Sequence, residues 1–568
     1  MKDEAINTTL AVKKGHPKGL YVLSFTEMWE RFGYYLMIGI LYLFLHDTIA
    51  HGGKGFDDSL SIEIVGTFIA MVYLTPFIGG LVADRILGYT KSIFFGGALM
   101  AAGYFLLSIN GSNGLLYLSL ALVVIGNGFF KPNISTLLGN IYNTEELKVK
   151  KDSAYNIFYM GINIGAFVCN FVAAYLRNTY TWGFAFAAAG VGMTIALIWL
   201  MFNLKHVKFA DVIKPSNKED MPISKIALYV FLPAIIAGLI GWFLPGILLG
   251  DGKAFLGHHS DDAFVAGCIP IVIFYFRVYL TAAPFDKRRI GTLLTLFGVA
   301  IIFWNIYNQN STSLTIWAES YTNRKLPFKG GDSLLKKINV LQTVNTTPGV
   351  YPKLDDKFRT ISDSKGNALT ETRINPYFQN LPKEQWPLEK QDLKLISTEE
   401  FQSINPFWVV ILTPVIVGLF GWMRARKKEP STPSKIAWGI IIAGLSSLVM
   451  VFACLSTNIY HFKVSSGWLI ASYGVFTISE LFLSPIGLSL VSKVAPRRLT
   501  SLMMGGWFLT TSIGGKISGM LAGVWNHFDN KALFFAISTI AAIIAGLAIM
   551  PLTKKLAKVV DEATASTD

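Results

Sequence analysis

Long apolar runs separated by short polar segments extend along almost the whole chain. Each run has about 20 residues or more, enough to cross a hydrocarbon core of about 30 Å as an α-helix. The runs are continuous and do not alternate between apolar and polar positions, which excludes a transmembrane β-barrel. The pattern therefore predicts an all-α polytopic membrane protein with fourteen spans, at about 20–46, 59–83, 91–109, 114–138, 154–176, 181–203, 226–249, 263–282, 290–317, 404–423, 435–457, 467–492, 500–525 and 531–553.

Basic residues collect in the loops on one side of this pattern. Lysines and arginines follow the fourth, sixth, eighth, tenth and last spans and also occur in the N-terminal segment. An even number of spans places all of these segments on one side, whereas the loops 47–58, 110–113 and 458–466 on the other side carry few cations. Because basic loops remain inside the cell, both termini are expected in the cytoplasm.

The order of the spans indicates two similar groups with an insert between them. Residues 1–204 are expected to form an N-terminal six-helix bundle, 205–288 a linker with two additional spans, and 289–568 a C-terminal six-helix bundle. Two bundles around a central cavity are an organisation of transporters. The polar segment 319–403 interrupts the last bundle and is expected outside the cytoplasm, as a small module or a disordered excursion. Because long exposed loops tolerate insertion, we interpret it as an insertion without a role in transport.

Composition supports the membrane assignment and excludes other classes. The 568 residues are 52% hydrophobic and only 15% charged, against about 25% charged residues in soluble domains, so a soluble enzyme is excluded. The net charge of +14 is attributed to cytoplasmic loops and not to nucleic-acid binding. Cys169, Cys268 and Cys454 lie in apolar runs and are expected to be buried without disulfides. The sequence has no cluster of cysteines and histidines, so neither a metal nor a cofactor is expected.

Charged residues inside the first span are the first candidate site. Glu27, Glu30, Arg31, Tyr34 and Tyr35 follow helical spacing and form one polar face. Charges in a spanning helix are costly and mark transport pathways or proton relays. Two carboxylates beside one guanidinium leave one negative charge in excess, so this cluster is a candidate proton relay. The alternative is an ion pair that only fixes helix packing.

A second candidate pair joins the two bundles. Lys131 lies toward the cytoplasmic end of the fourth span, and Glu480 lies in the middle of the twelfth. A salt bridge between them would close the cavity on one side and would have to break when the bundles rock. Alternatively, Lys131 extends to the membrane interface, whereas Glu480 lies too deep to do so.

Several motifs, in order, resemble the proton-dependent oligopeptide transporter family of the major facilitator superfamily. The first-span pattern Glu27-x-x-Glu30-Arg31-Phe32-x-Tyr34-Tyr35 is similar to the family's first-helix signature. Five further segments resemble family motifs in the family's order: GGLVADRILG (79–88), KPNIS (131–135), FYMGINIGAF (158–167), INPFWVVILTP (404–414) and SELFLSPIGLS (479–489). The resemblance covers nearly all of the chain except 319–403, and it implies the major facilitator fold with the extra helix pair of bacterial members.

The resemblance implies import of di- and tripeptides coupled to protons by alternating access. Glu27, Glu30 and Arg31 would couple the proton, Glu480 would face the amino terminus of the peptide, and Lys131 would face its carboxylate. A zwitterion needs one buried charge of each sign. The other residues implied in substrate binding are Tyr34, Tyr35, Tyr73, Trp304 and Trp507 in an aromatic pocket, with Asn163, Asn308, Asn405 and Ser484.

Two positions depart from the family pattern. Many members have an arginine where this chain has Ile38 and a glutamate where it has Asn308. These two residues form a salt bridge on the extracellular side in relatives. Loss of only one would leave a costly unpaired charge, so their joint absence is physically consistent. A histidine of animal relatives is also missing, at Gly66, and proton handling would therefore rest mainly on Glu27 and Glu30.

The first hypothesis is a proton-coupled peptide symporter in the inner membrane of a bacterium, active as a monomer. Its partners would be a di- or tripeptide, protons and the lipid bilayer, and no nucleic acid. The alternative is a family member with another substrate, such as nitrate or a peptide-like conjugate, or with altered proton coupling. A membrane enzyme is disfavoured because the spans carry no set of nucleophile and base, so no catalytic residue is predicted. A receptor that binds a partner through 319–403 is a third class.

Overall fold

The computed structural model describes residues 15–148, 150–212, 222–250, 252–326, 339–388, 391–496 and 499–565. Within these ranges, fourteen helices have at least 18 residues. They are α1 (Lys18–His46), α2 (Asp58–Val82), α3 (Tyr89–Leu107), α4 (Asn113–Ile141), α5 (Lys151–Thr179), α6 (Trp182–Phe202), α7 (Leu232–Leu249), α8 (His259–Thr281), α9 (Pro284–Asn308), α10 (Ile404–Ala425), α11 (Thr432–Leu455), α12 (Ser466–Val494), α13 (Thr500–Gly523) and α14 (Lys531–Ile549).

The predicted all-α polytopic fold is confirmed. Among the described residues, twelve helices are long and apolar enough to cross a membrane. The two long helices outside that set are α1 and α13, which have 29 and 24 residues and carry more polar side chains. The count of fourteen spans therefore stays a prediction for these two helices.

Successive helices run in opposite directions, so the bundle has two faces. We call the face where α1 begins, at Lys18, the near face, and the face where α1 ends, at His46, the far face. Contacts between loops support this assignment of faces. On the far face, the Lys54 ammonium donates to the Gly111 carbonyl oxygen over 2.6 Å. On the near face, the Asp211 carboxylate accepts from the Tyr89 amide over 2.7 Å.

Shorter helical segments extend or connect the long helices. A π-helical turn follows α2, another precedes α7, and the chain after α9 breaks at Thr312 before a further helix. This break divides the predicted span 290–317 into two pieces. The shorter segments are Ile49–His51, Ala83–Leu87, Glu145–Lys148, Leu204–His206, Lys208–Ala210, Ile223–Ile226, Ala227–Phe231, Gln309–Ser311, Ser313–Ser320, Pro376–Phe378, Lys383–Gln385, Thr398–Ser403, Trp525–His527, Met550–Leu552 and Thr553–Ala565.

The insertion between α9 and α10 is folded in its described part. Of the two forms expected for it, a small module or a disordered excursion, the described part is the module. Its strands are β1 (Thr322–Asn323), β2 (Gln342–Val344), β3 (Gly349–Pro352), β4 (Thr370–Arg373) and β5 (Leu393–Leu395), and β6 (Val464–Ser465) precedes α12. The strand β1 pairs in parallel with β6, whereas β2 with β5 and β3 with β4 are antiparallel. Tyr377 and Phe378 belong to a small apolar core of this module.

Polar contacts between α1–α6 and the later elements collect from the far face to the middle of the bundle. Asn170 donates to the Ser403 hydroxyl over 3.0 Å, and Gln402 donates to the Gly39 carbonyl over 3.2 Å. The backbones of α2 and α13 also touch, since a Cβ added at Gly66 would lie 2.8 Å from the Gly519 Cα. The bundle is therefore closed by polar and backbone contacts on the far face.

Candidate functional site

The helix α1 places three charged side chains in its buried middle. Glu27 and Arg31 are four residues apart and therefore share one face, and the Arg31 Nε lies 3.4 Å from the Glu27 Oε1. The same Nε donates to the Glu30 Oε2, and the Arg31 Nη2 donates to the Glu30 Oε1 over 2.5 Å. All three residues are at most 3% exposed. The arginine thus holds Glu30 by two hydrogen bonds and Glu27 by one longer contact.

The two carboxylates of this cluster differ in their surroundings. Glu30 also accepts a hydrogen bond from the Asn127 side chain of α4 over 3.3 Å. The Glu27 Oε2 is buried and has no hydrogen-bond partner among the described residues. A buried oxygen without a donor is costly when the group is ionised. Of the two acids, Glu27 is therefore the one whose surroundings favour taking up a proton.

Lys131 lies beside this cluster without an ion-pair partner in the described part of the chain. Its ammonium Nζ lies 4.0 Å from the centre of the Tyr73 ring, a cation–π contact. Both Glu27 and Glu30 lie within electrostatic reach of Lys131, and the Arg31 guanidinium lies 5.1 Å from the Tyr34 ring. Lys131 as a whole residue is half-buried.

Glu480 is held by neutral donors. The Tyr159 hydroxyl donates to its Oε1 over 3.2 Å, and the Asn405 amide donates to its Oε2 over 2.9 Å. Asn405 also donates to the Thr477 hydroxyl over 3.0 Å. Glu480 is 7% exposed and forms no ion pair with Lys131 among the described contacts, so the salt bridge considered between the bundles is not formed in this conformation. Its negative charge has no cationic partner there.

Tyr35 lies near both the charged cluster of α1 and Glu480. It is within electrostatic reach of both Arg31 and Glu480, and its ring packs 5.4 Å from the Tyr34 ring. Tyr73 adds a contact with Trp304 across the bundles, with ring centres 6.5 Å apart. The α1 cluster, Lys131 and Glu480 therefore border one region with aromatic walls.

Two other predicted residues, Asn163 and Asn308, use their side-chain amides for hydrogen bonds within their own helices. The Asn163 side chain donates to the Tyr159 carbonyl over 2.8 Å, and the Asn308 side chain donates to the Trp304 carbonyl over 2.7 Å. Both bonds run one turn back along their own helices, and both amides keep an acceptor oxygen.

Two more predicted residues lie on the last helices. The Trp507 ring packs against Phe297, with ring centres 6.1 Å apart, and against Gly487, where a Cβ would overlap it. Ser484 belongs to α12, but its side chain lies outside the described ones.

The described residues include no group of three or more His, Cys, Asp or Glu side chains that could hold a metal ion. Among the described residues, the site instead presents one cation without an ion pair, one acid with neutral donors and a carboxylate pair that shares one guanidinium. Such an arrangement can bind a ligand with separated charges and can take up a proton.

Sequence reasoning missed the residues that support the predicted ones. Tyr159 holds Glu480, and Asn127 holds Glu30. Each lies within or beside a segment that had been singled out, FYMGINIGAF (158–167) and the run before KPNIS (131–135). A polar residue on an apolar helix is the available signal, but it does not reveal which distant acid the residue meets.

The sequence is similar to a known family of transporters and to individual bacterial transporters over almost its whole length. The sequence matches the POT family over residues 90–345 and 391–542. It is 30% identical to an uncharacterised transporter of Bacillus subtilis, YclF, over 96% of each chain. It is 29% identical to a di-/tripeptide transporter of Lactococcus lactis, over 98% of this chain and 99% of that one.

A solved structure is similar over the same length. A POT family transporter in complex with a thioalcohol conjugated peptide superimposes with a TM-score of 0.75 at 25% identity, covering 96% of this chain and 98% of that one. The family match spans well over half of the chain and includes Lys131 and Glu480, whereas α1 precedes its first matched residue. The chain therefore belongs to the POT family, the proton-dependent oligopeptide transporters of the major facilitator superfamily.

Proposed function

We propose that this protein imports di- and tripeptides together with protons by alternating access. The observation that carries the proposal is a pair of opposite charges, Lys131 and Glu480, that form no ion pair among the described residues. Among the described contacts, Lys131 has only an aromatic partner, and Glu480 has only neutral donors. A free peptide presents a carboxylate to the first and an ammonium to the second, and charge-assisted hydrogen bonds of this kind are about twice as strong as neutral ones.

The proton is assigned to the α1 cluster. Glu27, Glu30, Arg31, Lys131 and Glu480 sum to −1 when all are ionised. One proton, taken up by Glu27, makes the set neutral, and a zwitterionic peptide adds no net charge. A neutral loaded carrier avoids the cost of moving a net charge through a low-dielectric interior, which couples peptide to proton.

The near face is assigned to the cytoplasm, because the basic loops lie there. The protein would then lie in a bacterial inner membrane with both termini inside and work as a monomer. Residues 1–204 and 289–568 would be the two rocking bundles, with 205–288 as the extra pair. The polar closure of the far face supports a conformation that releases peptide to the near face.

Reconstitution in proteoliposomes tests this function. A gradient with an alkaline interior should drive accumulation of a free dipeptide, and a dipeptide with an acetylated amino terminus and an amidated carboxyl terminus should not compete. Glu429→Gln, a change on a near-face loop away from the site, is a matched control that should transport normally. Gradient-independent uptake, or equal competition by the blocked peptide, would contradict the proposal.

A second candidate is transport of a peptide-like conjugate or another small substrate such as nitrate. The POT family structure in complex with a thioalcohol conjugated peptide supports it, and Ile38 and Asn308 support altered proton coupling. Competition by cysteine-conjugated peptides and by nitrate in the same liposomes separates the two candidates. The stronger competitor identifies the substrate.

A further inference from the structure

A second buried polar network lies on the far face. Its centre is Lys516 of α13, a residue that is 1% exposed. The Lys516 Nζ lies 2.6 Å from the Asp261 Oδ1 of α8. It also donates to the Thr67 hydroxyl of α2 over 2.6 Å and to the Ser260 hydroxyl over 3.1 Å. One ammonium therefore joins three helices, of which α2 and α13 belong to opposite six-helix groups.

One stripe of α2 meets the first turn of α8. Ser59, Glu63 and Thr67 follow one another at four-residue intervals and so share a face. The Ser59 hydroxyl lies 3.0 Å from the His258 Nε2, and the Ser260 hydroxyl donates to the Glu63 carboxylate. Three successive turns of α2 therefore make polar contacts with the start of α8 on the far face.

The helix α8 is attached to α13 at both of its ends but to α2 through polar contacts at the far end alone, among the contacts described. Near the other end of α8, the Tyr275 hydroxyl donates to the Leu502 carbonyl over 2.7 Å. At the far end, Asp261 pairs with Lys516. Separation of α2 from α13 on the far face must therefore break the Lys516–Thr67 bond, together with either the Ser260–Glu63 bond or the Lys516–Asp261 pair.

The outer surface of the extra helix pair is apolar along α7, in contrast to the charged first turn of α8. Ile235, Leu239, Phe243 and Ile247 of α7 are between 54% and 77% exposed, as expected for side chains that contact lipid. The polar residues are instead concentrated at the first turn of α8, where Asp262 accepts from the Phe255 and Leu256 amides. This turn is built to hold a fixed position against α2 and α13.

We propose that the first turn of α8 is a far-face latch, with Lys516 as a positioning residue that stabilises the far-closed conformation. The extra helix pair thereby controls opening of the carrier, and the latch does the work of the salt bridge that Ile38 and Asn308 do not form. The proposal rests on the proposed alternating-access transport. A distance measurement without substrate tests it separately from that function.

The test uses the full chain with Cys169, Cys268 and Cys454 replaced by alanine and spin labels at Asn113→Cys and Ser456→Cys. Both positions are exposed at far-face helix ends of opposite groups. Pulsed electron spin resonance should show that Lys516→Gln and Asp261→Asn each raise the far-open population about fivefold or more. The double variant should add little, because the two residues act as one unit. Lys253→Gln, on the exposed loop before α8, is the matched control.

An unchanged distance distribution in folded Lys516→Gln protein, or an equal change in Lys253→Gln, would overturn the latch. Ser260→Ala removes only one hydroxyl, so it provides the same comparison if Lys516→Gln does not purify as a monodisperse protein. In Ser260→Ala the far-open population should also rise, and no rise there would overturn the proposal. Exchange of the charges, Asp261→Lys with Lys516→Asp, should restore the closed distribution at least in part.

Discussion

Glu27 and Glu30 lie three residues apart on one helix, yet their hydrogen bonds differ, which gives the two carboxylates different roles. Glu30 receives two donors from Arg31 and one from Asn127, whereas one Glu27 oxygen has no donor among the described residues. Glu30 therefore orients the guanidinium, and Glu27 is the group with room for a proton. Sequence spacing alone treats the two acids as equivalent.

We expect Glu27→Gln to abolish uptake driven by a pH gradient while exchange of peptide across equal concentrations continues. The amide keeps the shape of the side chain but cannot release a proton, so only the coupled mode is lost. Glu30→Gln should reduce both modes, because it removes an acceptor from Arg31. Uptake and counterflow in the same liposomes measure this, and retained gradient-driven uptake in Glu27→Gln would contradict the assignment.

We expect Lys131→Ala and Glu480→Ala each to weaken binding of a simple dipeptide by about tenfold or more, since each removes one charge-assisted contact worth about 1.5–3 kcal/mol. Each change should be selective. Lys131→Ala should abolish discrimination against a peptide amide, and Glu480→Ala should abolish discrimination against an N-acetylated peptide. Binding measured by calorimetry checks this, with Lys208→Ala on the near face as a control. Unchanged affinity in both variants would contradict the proposal that Lys131 and Glu480 bind the two charged ends of the peptide.

Among the elements, the insertion after α9 connects both groups of helices on the far face. The Thr360 hydroxyl donates to Asp58 of α2 over 3.1 Å, and Lys357 pairs with Asp529 in the loop before α14 at 2.6 Å. The hydrogen bond from Lys357 holds the pKa of Asp529 below its ordinary value. This contact is therefore charged at neutral pH and is lost only as the pH falls below the usual aspartate range.

We expect Asp58→Ala to lower the thermal unfolding midpoint and to loosen the insertion. Asp58 is 6% exposed and accepts from the Tyr42 hydroxyl over 2.8 Å and from the Asn526 amide over 3.3 Å, besides Thr360. The loss of several hydrogen bonds to one buried carboxylate should cost about 3 kcal/mol. Asp356→Ala, on the exposed part of the same module, is the matched control. Thermal unfolding with limited proteolysis of 339–388 measures both, and equal midpoints would contradict the expectation.

At the scale of the whole molecule, the far face has no charge at Ile38 and Asn308, the two positions where the sequence resemblance implies a salt bridge in many family members. Ile38 is 3% exposed and Asn308 is 6% exposed, and they lie in the far-face half of α1 and at the end of α9. The Arg177 Nε lies 3.2 Å from the Glu399 Oε1, which gives another ionic contact between the groups. Closure thus depends on several polar contacts dispersed over the far face.

We expect Ile38→Arg together with Asn308→Glu to retain more transport than Ile38→Arg alone. A single buried arginine is left without a partner, whereas the double variant can form an ion pair, and an unpaired buried charge costs about 3–5 kcal/mol. Surface expression and uptake rates of the two variants and of Asn308→Glu measure this. Equal damage in the single and double variants would count against the view that the two charges are absent as a pair.

The sequence was sufficient for the properties that depend on composition and local order. The apolar runs predicted most of the helices to within a few residues, because a hydrocarbon core requires about 20 apolar residues per helix and leaves few alternatives. The largest difference is the run 290–317, where α9 ends at Asn308 and the chain breaks at Thr312. The charges on α1 were recognisable because an ionisable group in an apolar run is costly and therefore informative. Helical spacing also placed Glu27 and Arg31 on one face, since neighbours four residues apart are fixed by the helix itself.

Only the tertiary structure decided which distant groups meet. Lys516 and Asp261 are 255 residues apart, and nothing in their local sequence indicates that they pair at 2.6 Å. The same holds for Tyr159 with Glu480 and for the insertion that connects Asp58 to Asp529. Local composition determines which segments enter the membrane, because insertion depends on each helix alone. The partner of a buried charge depends on how the helices pack together, and that information is distributed over the whole chain.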